Sequence, residues 1–505
     1  MAALLSDVVE ALPRAERRGD DVRLLDATHD SRQVGPDTLF CAIPGTRADG
    51  HDHANDAVMR GAVALLVERW LPLPVAQVRV PSVRAATGRA AAVVHGRPSE
   101  ELVVLGVTGT NGKTTVTYLL EGAIGAAALG AGVVGTVETR IHGTPQPGVR
   151  TTPEGTDLQR LLRVMRTRGV DVVAMEVSSH GLDLRRVDGT RFRVAVYTNL
   201  SQDHLDWHGS MDAYLAAKAR LFQPDLSKRG VVFRDDAWAP ELLAAARIPV
   251  TTLGRTAEAD LRLVDERHTL HGGSGRLVGG HPLAGVRDDV PTEVDLAVET
   301  SLPGGFNLAN AATALATALA AGLPGAAAAQ GIAACPGAPG RLELVSDAGP
   351  TVLVDYAHTP DALGHVLQTV RELLPAGARL TLVVGCGGDR DRGKRGPMGA
   401  AAAQADRAVL TSDNPRSEDP ETILAAVEAG ARRAVVDGAP AEVDVEPDRR
   451  RAIALALAAA GVDDVVVIAG KGHETTQELA DHVVPFDDRL VARELLAAGP
   501  PGGPR

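Results

Sequence analysis

Apolar runs that end abruptly in polar residues recur through the middle of the chain and predict parallel β-strands. The first run covers residues 102–105 and leads through a glycine-rich turn into a helical pattern at residues 116–123. Two further runs, at residues 170–176 and 192–198, also end in polar positions. Because strands and helices alternate here, we predict an α/β fold built on a parallel sheet.

The C-terminal third of the chain repeats this pattern in four apolar runs, at residues 352–354, 380–384, 408–410 and 465–469. Ligands of open parallel sheets bind outside the carboxyl ends of the strands. We therefore predict that the polar clusters ending these runs form the rim of one site. The clusters are Asp355-Tyr-Ala-His358, Gly387-Gly-Asp-Arg390, Asp413-Asn-Pro-Arg416 and Gly470-Lys-Gly-His-Glu474.

Two breaks in the pattern divide the chain. Residues 95–101 are polar and contain a proline, and residues 335–340 are rich in proline and glycine. The length of 505 residues suggests about three domains. We predict that they cover residues 1–98, 99–336 and 337–505. Residues 250–302 lose the helical period and predict a small β insertion, and the tail from residue 499 is predicted to be disordered.

Composition and charge argue against a nucleic-acid-binding, a disulfide-rich or a membrane-spanning protein. The net charge of −12 argues against general nucleic-acid binding, although local arginines can still bind a phosphorylated small molecule. Cys41, Cys335 and Cys386 are too few and too widely spaced for a disulfide framework. The N-terminus does not resemble a signal peptide, and the apolar stretch at residues 452–462 is too short to cross a bilayer. We expect a cytoplasmic enzyme without membrane insertion.

The glycine-rich turn at residues 106–115, GVTGTNGKTT, is a candidate phosphate-binding loop. A strand, a glycine turn and a helix N-terminus can surround a phosphate chain with backbone N–H groups. Lys113 would then reach the outer phosphates and Thr114 would offer its hydroxyl to Mg²⁺. Val107 stands where the general motif has its first glycine, and an ordinary glycine turn is the alternative. We predict ATP binding.

Three further residues of the predicted middle domain are open to two interpretations. Glu176 ends a strand, which favours a functional carboxylate such as a Mg²⁺ ligand. His204 is equally well explained as a ligand or as a hydrogen-bonded structural residue. Lys218 lies in a helix of amphipathic period, so its spacing alone predicts a solvent-exposed lysine.

The C-terminal rim predicts an amino-acid-like ligand. Arg390 and Arg416 carry planar guanidinium groups that can each bind a carboxylate through two N–H donors. Glu474 would supply an anion for the ligand's ammonium group. Asp419-Pro-Glu421 predicts the N-cap and first turn of a helix, so a helix cap with surface arginines is the alternative. Arg341 follows the second break and could reach ATP phosphates as one domain closes.

Ten ordered motifs resemble those of the Mur ligase family, which builds the UDP-linked precursor of peptidoglycan. They are TGTNGKTT, MEVSSHGLDLRRVDG, TNLSQDHLDWHG, YLAAKARLF, FNLANAATALA, PGRLE, VDYAHTPDAL, GCGGDRDRGKRGPMG, TSDNPRSEDP and AGKGHETTQ. The resemblance spans almost the whole chain, including Asp30-Ser-Arg32. It implies a central P-loop ATPase domain with a parallel sheet. An N-terminal α/β domain that binds the UDP-sugar and a C-terminal Rossmann-like domain would flank it.

The resemblance also implies roles for individual residues. Lys218 resembles the family's carbamylated lysine, which reverses the interpretation from spacing and makes it a catalytic residue beside Lys113, Glu176 and His204. Thr114, Glu176 and His204 would lie at Mg²⁺. ATP would be bound by Gly109, Thr110, Asn111, Gly112, Lys113, Thr114, Thr115, Asn307, Arg341 and Asp355. The UDP-linked dipeptide would be bound by Ser31, Thr151, Thr152, Ser178, Arg186 and Lys218. Arg150 and Leu184 depart from the family pattern.

The motif at residues 413–416 resembles the version of the family that selects meso-diaminopimelate rather than lysine. Its amino-acid site would comprise Arg390, Asp413, Asn414, Pro415, Arg416, Gly470 and Glu474. The implied reaction activates a D-glutamate carboxylate as an acyl phosphate, which an amine then attacks. The alternatives are L-lysine or another diamino acid, a folylpolyglutamate-synthetase-like ligase, a kinase, or a non-catalytic nucleotide switch.

Overall fold

The computed structural model describes residues 3–45, 48–146, 150–287 and 289–498. The segment 499–505, for which the sequence predicts disorder, lies outside these ranges. Within them, no helix combines the length and apolar character needed to cross a membrane.

The N-terminal part is a five-stranded sheet with the order β2-β7-β6-β5-β4, in which β4 to β7 are parallel and β2 is an antiparallel edge. The strands of this sheet are β2 Glu16–Arg18, β4 Asp26–Thr28, β5 Thr38–Cys41, β6 Ala62–Val67 and β7 Ala76–Arg79. The strands β1 Ala3–Leu4 and β3 Arg23–Leu24 form a separate antiparallel pair. The helices of this part are α1 Leu5–Ala11, α2 Ala54–Met59, α3 Val83–Val94 and α4 Pro98–Glu101.

The central part is an eleven-stranded sheet with the order β11-β10-β9-β12-β8-β13-β14-β15-β16-β17-β18. The strands from β9 to β16 in this order are parallel, and β10 and β11 form an antiparallel edge. The first strands are β8 Val103–Thr108, β9 Ala131–Val134, β10 Thr139–Ile141, β11 Thr144–Gln146, β12 Val172–Glu176, β13 Phe192–Tyr197 and β14 Ser227–Phe233. The helices are α5 Lys113–Ala126, α6 Gly155–Thr167, α7 Ser179–Asp183, α8 Leu205–His208, α9 Met211–Ala219, α10 Ala239–Ala245, α11 Gly305–Ala321 and α12 Gly325–Ala333.

Residues 250–302 are β-structure, as predicted, but they do not form a separate insertion. Their strands continue the central sheet beyond β14, and β15 and β16 are parallel to it. Strands with polar faces carry no sequence signal for the sheet that they join, because pairing is decided by tertiary register. The strands are β15 Val250–Gly254, β16 Leu261–Thr269, β17 Gly272–Gly280 and β18 Glu293–Thr300.

The C-terminal part is a six-stranded sheet with the order β19-β20-β24-β21-β22-β23, parallel except for β19. The four predicted strands are therefore neighbours, and their carboxyl ends share one edge. The strands are β19 Glu343–Ser346, β20 Thr351–Asp355, β21 Leu380–Val384, β22 Arg407–Leu410, β23 Glu442–Val445, β24 Val465–Ala469, β25 Thr476–Glu478 and β26 Val483–Pro485. The helices are α13 Pro360–Leu373, α14 Arg395–Ala402, α15 Pro420–Val436, α16 Arg449–Ala459 and α17 Asp488–Ala498.

The chain divides into two compact units. The first comprises Met1–Val264, Arg276–Val298 and Ala309–Ala334, and the second comprises Asp265–Gly275, Glu299–Leu308 and Cys335–Arg505. Within the first unit, Arg160 on α6 binds the Asp26 carboxylate and the Ala27 carbonyl, which joins the N-terminal sheet to the central one. The three sheets confirm an α/β fold with three domains.

Candidate active site

The glycine-rich loop follows β8 and leads into α5, as predicted. Gly109 has a φ of +150° and Gly112 a φ of +82°, where side chains are strained. A Cβ at Gly109 would lie 1.9 Å from the Thr198 hydroxyl oxygen. The loop is held from the β13 side, where Asn199 accepts a 2.9 Å bond from the Asn111 N–H and Thr198 donates to the Asn111 carbonyl at 2.6 Å. These bonds hold the loop in place, and the backbone N–H groups at the start of α5 could then surround a phosphate.

Thr114 and Glu176 lie together, because their strands are neighbours. β8 and β12 pair in parallel register with Glu176 beside Val107, so the carboxylate reaches the first turn of α5. Thr114 donates its hydroxyl to Glu176 Oε1 at 3.0 Å, and Thr136 donates both its N–H and its hydroxyl to the same carboxylate. Glu176 is fully buried. A hydroxyl and a carboxylate beside a phosphate loop are oxygen donors of the kind that Mg²⁺ prefers.

His204 lies among aromatic rings rather than in the Thr114–Glu176 group. Its ring is 4.6 Å from that of His180 and 6.1 Å from that of Tyr214, measured between centroids. Its φ is +52°, in the left-handed region. Within the described part of the chain, no group of three His, Cys, Asp or Glu side chains could hold a metal ion by itself. A magnesium site here would need oxygens from a ligand as well.

Lys218 is buried, which makes the interpretation from spacing wrong. Only 1% of the residue is exposed, and its Nζ donates to the Gly109 carbonyl at 2.7 Å and lies 4.4 Å from the centre of the Tyr214 ring. Lys113 Nζ also donates to the Gly109 carbonyl, at 3.0 Å. Burial, and then the neighbouring Lys113 ammonium, lower the pKa of Lys218 well below its usual value. The helical period identifies the face that carries Lys218 but not the loop that covers that face.

Four of the residues predicted to bind the UDP-linked dipeptide form one group next to Glu176. Thr151 shares a 3.0 Å bond with Thr136, and Thr152 bonds the Ser178 hydroxyl at 3.1 Å and the Glu176 carbonyl at 3.1 Å. Arg186 donates to the Thr152 carbonyl at 3.3 Å. Ser31 lies in a 3-10 turn of the N-terminal part, and no hydrogen bond between described residues joins it to this group.

Arg150, one of the two residues that depart from the family pattern, is joined to Arg186 of this group through Glu154. Its Nη1 donates to Glu154 at 2.7 Å, and Arg84 Nη1 donates to that carboxylate at 3.2 Å. The Arg186 Nε lies 2.9 Å from it. Three guanidinium groups around one carboxylate leave a positive excess, which suits an anionic substrate.

The second unit holds the other three residues predicted to bind ATP. Asp355, at the end of β20, is buried and accepts the Leu342 and Ala357 N–H groups at 2.8 and 2.7 Å. Burial raises the pKa of Asp355, although the nearby Arg341 guanidinium and these N–H groups oppose the shift. The Arg341 guanidinium lies 4.6 Å from the centre of the Tyr356 ring. Asn307 donates to the Pro303 carbonyl at 2.9 Å.

The rim of the C-terminal sheet brings together acidic and amide groups. Asn414 donates to Glu474 Oε2 at 2.9 Å, while Lys471 Nζ donates to Asn414 Oδ1 at 3.0 Å and to Glu474 Oε2 at 3.1 Å. Asp413 is buried, and among the described residues its Oδ1 accepts no hydrogen bond, although the Lys471 ammonium lies 3.7 Å from it. Burial raises the pKa of this carboxyl. Gly470 is adjacent, since a Cβ there would lie 3.2 Å from Asp413 Oδ2. An acceptor of this kind suits a ligand's ammonium group.

Arg416 and Arg390 flank Gly387 on the same rim. A Cβ at Gly387 would lie 3.1 Å from Arg416 Nη1 and 3.8 Å from Arg390 Cγ. The predicted helix start after Pro415 is confirmed, because Asp419 caps α15 by accepting the Glu421 and Thr422 N–H groups and Pro420 is at its first position. The rim therefore combines guanidinium groups with acidic acceptors, which matches a zwitterion.

Comparisons with known proteins identify the family. A model described as the Mur ligase middle domain matches residues 107–318. One described as Mur ligase, glutamate ligase domain, matches residues 340–472, and one described as Mur ligase family, catalytic domain, matches residues 27–97. The chain belongs to the Mur ligase family.

This chain is also similar to individual Mur ligases and to proteins of related structure. A protein of Streptomyces avermitilis named UDP-N-acetylmuramoyl-L-alanyl-D-glutamate--2,6-diaminopimelate ligase is 45% identical over 97% of this chain and 97% of its own length. A solved structure with the same name has a TM-score of 0.71 and 33% identity, covering 99% of both chains. Folylpolyglutamate synthase of Mycobacterium tuberculosis, solved with ADP and AMPPCP, has a TM-score of 0.59 at 23% identity over 75% of this chain and 91% of that one, which shows the fold alone.

Sequence reasoning missed several residues that shape the rim of this Mur ligase. Lys471 is fully buried beside Asp413 and Glu474, although its place in a polar cluster after β24 was a signal. Arg449, on α16, forms a buried ion pair with Asp488 and donates to the Ser412 and Ala469 carbonyls, which precede two of the rim clusters. No spacing in the sequence connects Arg449 with those loops.

Proposed function

We propose that the chain joins meso-diaminopimelate to the D-glutamate carboxylate of UDP-N-acetylmuramoyl-L-alanyl-D-glutamate, at the expense of ATP. The names of relatives 45% and 33% identical over nearly their whole lengths support this substrate pair. One structural observation carries the amino-acid assignment. The rim of the C-terminal sheet carries both the Arg416 guanidinium and the buried Asp413 carboxylate, and a zwitterionic amino acid needs a cationic and an anionic partner of this kind.

The first step is phosphoryl transfer. The substrate carboxylate oxygen attacks the γ-phosphorus of ATP, the bond to the β-phosphate oxygen breaks, and ADP leaves an acyl phosphate. The N–H groups at the start of α5 and the Lys113 ammonium stabilise the charge on the transferring group. Lys113 rests on the Gly109 and Thr110 carbonyls at 3.0 and 2.7 Å, so it is held by the loop that would surround the phosphates.

Mg²⁺ fits the donor set of this loop. Thr114 and Glu176 would hold it, with His204 as the third predicted contact. When bound, the ion would offset negative charge on the ATP phosphates.

The second step forms the amide. The amine of the incoming amino acid attacks the acyl carbon, phosphate leaves with the electron pair of the C–O bond, and the nitrogen loses a proton. Diaminopimelate has a distal carboxylate and ammonium, whereas lysine has only the ammonium. Arg416 and Arg390 would bind that carboxylate, and Asp413, Glu474 and Gly470 would hold the ammonium. Lysine would leave the donors of Arg416 that serve this carboxylate without an acceptor, and sites built to hydrogen-bond a ligand group reject analogues that lack it by about 10⁴.

Lys218 is suited to carbamylation. Burial lowers the pKa of the Lys218 amine and so favours its uncharged form, whose lone pair can attack CO₂ to give a carbamate with the release of one proton. The carbamate replaces a potential cation with an anion beside Lys113 and the phosphate loop. It would then help to organise Mg²⁺ and the substrate carboxylate.

The domains divide these tasks. We assign residues 1–98 to the UDP-sugar, 99–336 to ATP and 337–505 to the amino acid, supported by one large sheet, of five strands or more, in each range. Three buried free thiols and the use of ATP support a cytoplasmic location. There the enzyme would serve peptidoglycan synthesis and, through it, cell shape and division.

A product assay tests the proposal. Purified protein is incubated with ATP, Mg²⁺, the UDP-linked dipeptide and one amino acid at a time from a panel that includes meso-diaminopimelate, L-lysine and glutamate. We expect a mass-identified tripeptide with diaminopimelate and little with lysine. Equal rates with lysine would overturn the assignment of the amino acid. Release of ADP without any amide product would favour a kinase instead.

A further inference from the structure

A short strand outside the predicted site runs along the motif at residues 413–416. This strand, β25, forms a two-stranded sheet with β26. Gln477 Nε2 donates to the Asp413 carbonyl at 2.6 Å, and the Glu478 N–H donates to Asn414 Oδ1 at 3.0 Å. The Arg416 N–H donates to the Glu478 carbonyl at 3.1 Å. Strand β25 therefore holds three of the four residues of the motif.

Arg416 needs such support because of its backbone conformation. Its φ is +51°, in the left-handed region that a residue with a Cβ rarely occupies. A residue keeps this conformation only where its surroundings hold it, and such residues concentrate at binding sites. The bond from Arg416 N–H to the Glu478 carbonyl is one such restraint.

The side chain of Glu478 also fixes the guanidinium of Arg416. Its Oε2 accepts from Arg416 Nε at 2.6 Å, and the Gly388 carbonyl accepts from Nη1 at 2.9 Å. In the part of the chain that the structure describes, Nη2 donates to no protein acceptor. Two restraints on one planar group set its orientation, and the donors of Nη2 stay available to a ligand.

We propose that Glu478 is a positioning residue that sets the selectivity for the distal carboxylate of the amino acid. This inference rests on the proposed function, since it concerns how Arg416 recognises diaminopimelate. Glu478 holds the guanidinium in its binding orientation before the ligand arrives, so the side chain loses less rotamer freedom on binding. The Glu478 side chain is 45% exposed, so its role in holding Arg416 is separate from packing of the hydrophobic core.

Glu478 could also have the opposite effect on the KM for diaminopimelate. Glu478 is itself an anion, so it could weaken binding of the substrate carboxylate by competing for Arg416. Removal of Glu478 would then lower the KM for diaminopimelate. The two effects are separated by the direction of one kinetic constant.

The test uses Glu478→Ala and the isosteric Glu478→Gln in the full-length enzyme. The matched control is Glu428→Gln, which breaks a 2.6 Å Arg Nε–Glu ion pair of the same kind, with Arg432, on the exposed face of α15. KM and kcat are measured for diaminopimelate, lysine, ATP and the UDP-linked dipeptide. For Glu478→Ala we expect the KM for diaminopimelate to rise by about tenfold or more. The kcat and the KM values for ATP and the UDP-linked dipeptide should stay near those of the wild type.

Selectivity gives the readout that a merely structural role would not change. In Glu478→Ala the ratio of kcat/KM for diaminopimelate to that for lysine should fall by about the same factor, because lysine does not use Arg416. Glu478→Gln keeps an acceptor for Nε and should give an intermediate loss, and Glu428→Gln should leave both constants unchanged. An unaltered or lowered KM for diaminopimelate in Glu478→Gln would overturn the inference while the proposed function stands. A wild-type enzyme that makes no diaminopimelate product would overturn both.

Discussion

At the scale of single residues, Lys218 shows that the fold determines the chemistry of a side chain. The residue lies on α9, where its spacing resembles that of any solvated lysine. In the fold its amine is buried against the Gly109 carbonyl and close to the Lys113 ammonium. Removal from water disfavours the charged form of the amine, and the uncharged form is the one that the proposed carbamylation requires.

Replacement of Lys218 by alanine should remove most ligase activity. If the carbamate supplies an anion that organises the metal and substrate, a short carboxylic acid that enters the vacated space should restore part of the rate. Tripeptide formation is measured for Lys218→Ala with and without millimolar acetate or propionate. The control, Lys228→Ala, removes an exposed lysine of β14 and should be as active as the wild type. Full activity of Lys218→Ala without added acid would contradict the carbamate.

The lowered pKa of Lys218 also predicts how stability depends on pH. In the unfolded chain the amine titrates near its ordinary value of 10.5, whereas the folded protein keeps it neutral to a much lower pH. Between these values the unfolded state binds more protons, so the contribution of this group to stability falls as the pH is lowered. In CO₂-free buffer, the stability of Lys218→Met relative to the wild type should be greater at about pH 7.5 than at about pH 9.5. Urea unfolding at both values measures this, and a difference independent of pH would contradict it.

Residue roles were predictable from the sequence only where a motif marks them. Thr114 belongs to the glycine-rich loop motif and Glu176 ends an apolar strand run, and in the structure the Thr114 hydroxyl lies 3.0 Å from the Glu176 Oε1. Lys471 and Glu478 are charged residues in a polar, loop-rich segment, and nothing in their spacing distinguishes a buried or bridging side chain from a solvated one. Their surroundings are determined by contacts with residues about 60 positions away along the chain.

At the scale of elements, the two α/β sheets place the candidate chemistry at the carboxyl ends of neighbouring strands. In the central sheet this edge carries the loop after β8 and Glu176 at the end of β12. In the C-terminal sheet it carries the clusters after β20, β24, β21 and β22. Apolar runs predict these strands because strands of a parallel sheet are covered on both faces. The strands at residues 250–302 are less apolar, so their sheet could not be assigned.

The glycines of the loop and helix after β8 should respond to alanine in opposite ways. Gly109→Ala places a Cβ 1.9 Å from Thr198 at a φ of +150°, so the loop must move. We expect kcat/KM for ATP to fall by about 100-fold, since small displacements of a positioned phosphate are costly. Gly125, on α5, has open space around its Cβ position, and Gly125→Ala should raise the free energy of unfolding by about 0.5–1 kcal/mol. Steady-state kinetics and denaturant unfolding of both variants check this, and an active Gly109→Ala enzyme would contradict the loop's role.

At the scale of the whole molecule, the proposed reaction is divided between two compact units. Lys113, Glu176 and Lys218 belong to the first unit, and Asp413, Arg416 and Glu474 belong to the second. In this proposal, activation of the carboxylate uses the first set and does not use the amino-acid rim, whereas interception of the acyl phosphate uses both. The two half-reactions should therefore be separable by mutation.

Hydroxylamine can separate them, because it attacks an acyl phosphate to give a hydroxamate and phosphate without using the amino-acid site. With ATP and the UDP-linked dipeptide, but no diaminopimelate, the wild type should form the hydroxamate. Arg416→Ala should form it at a similar rate yet make little tripeptide, whereas Lys113→Ala should form neither product. The control, Arg432→Ala, loses an exposed arginine of α15 and should make both.

Loss of the hydroxamate in Arg416→Ala would mean that the amino-acid site takes part in activation, which the proposed division does not allow. Formation of the tripeptide without a trappable hydroxamate in the wild type would instead remove the acyl phosphate from the mechanism. Because the two results affect different steps, one set of variants tests both the chemistry assigned to the phosphate loop and the recognition assigned to the C-terminal rim.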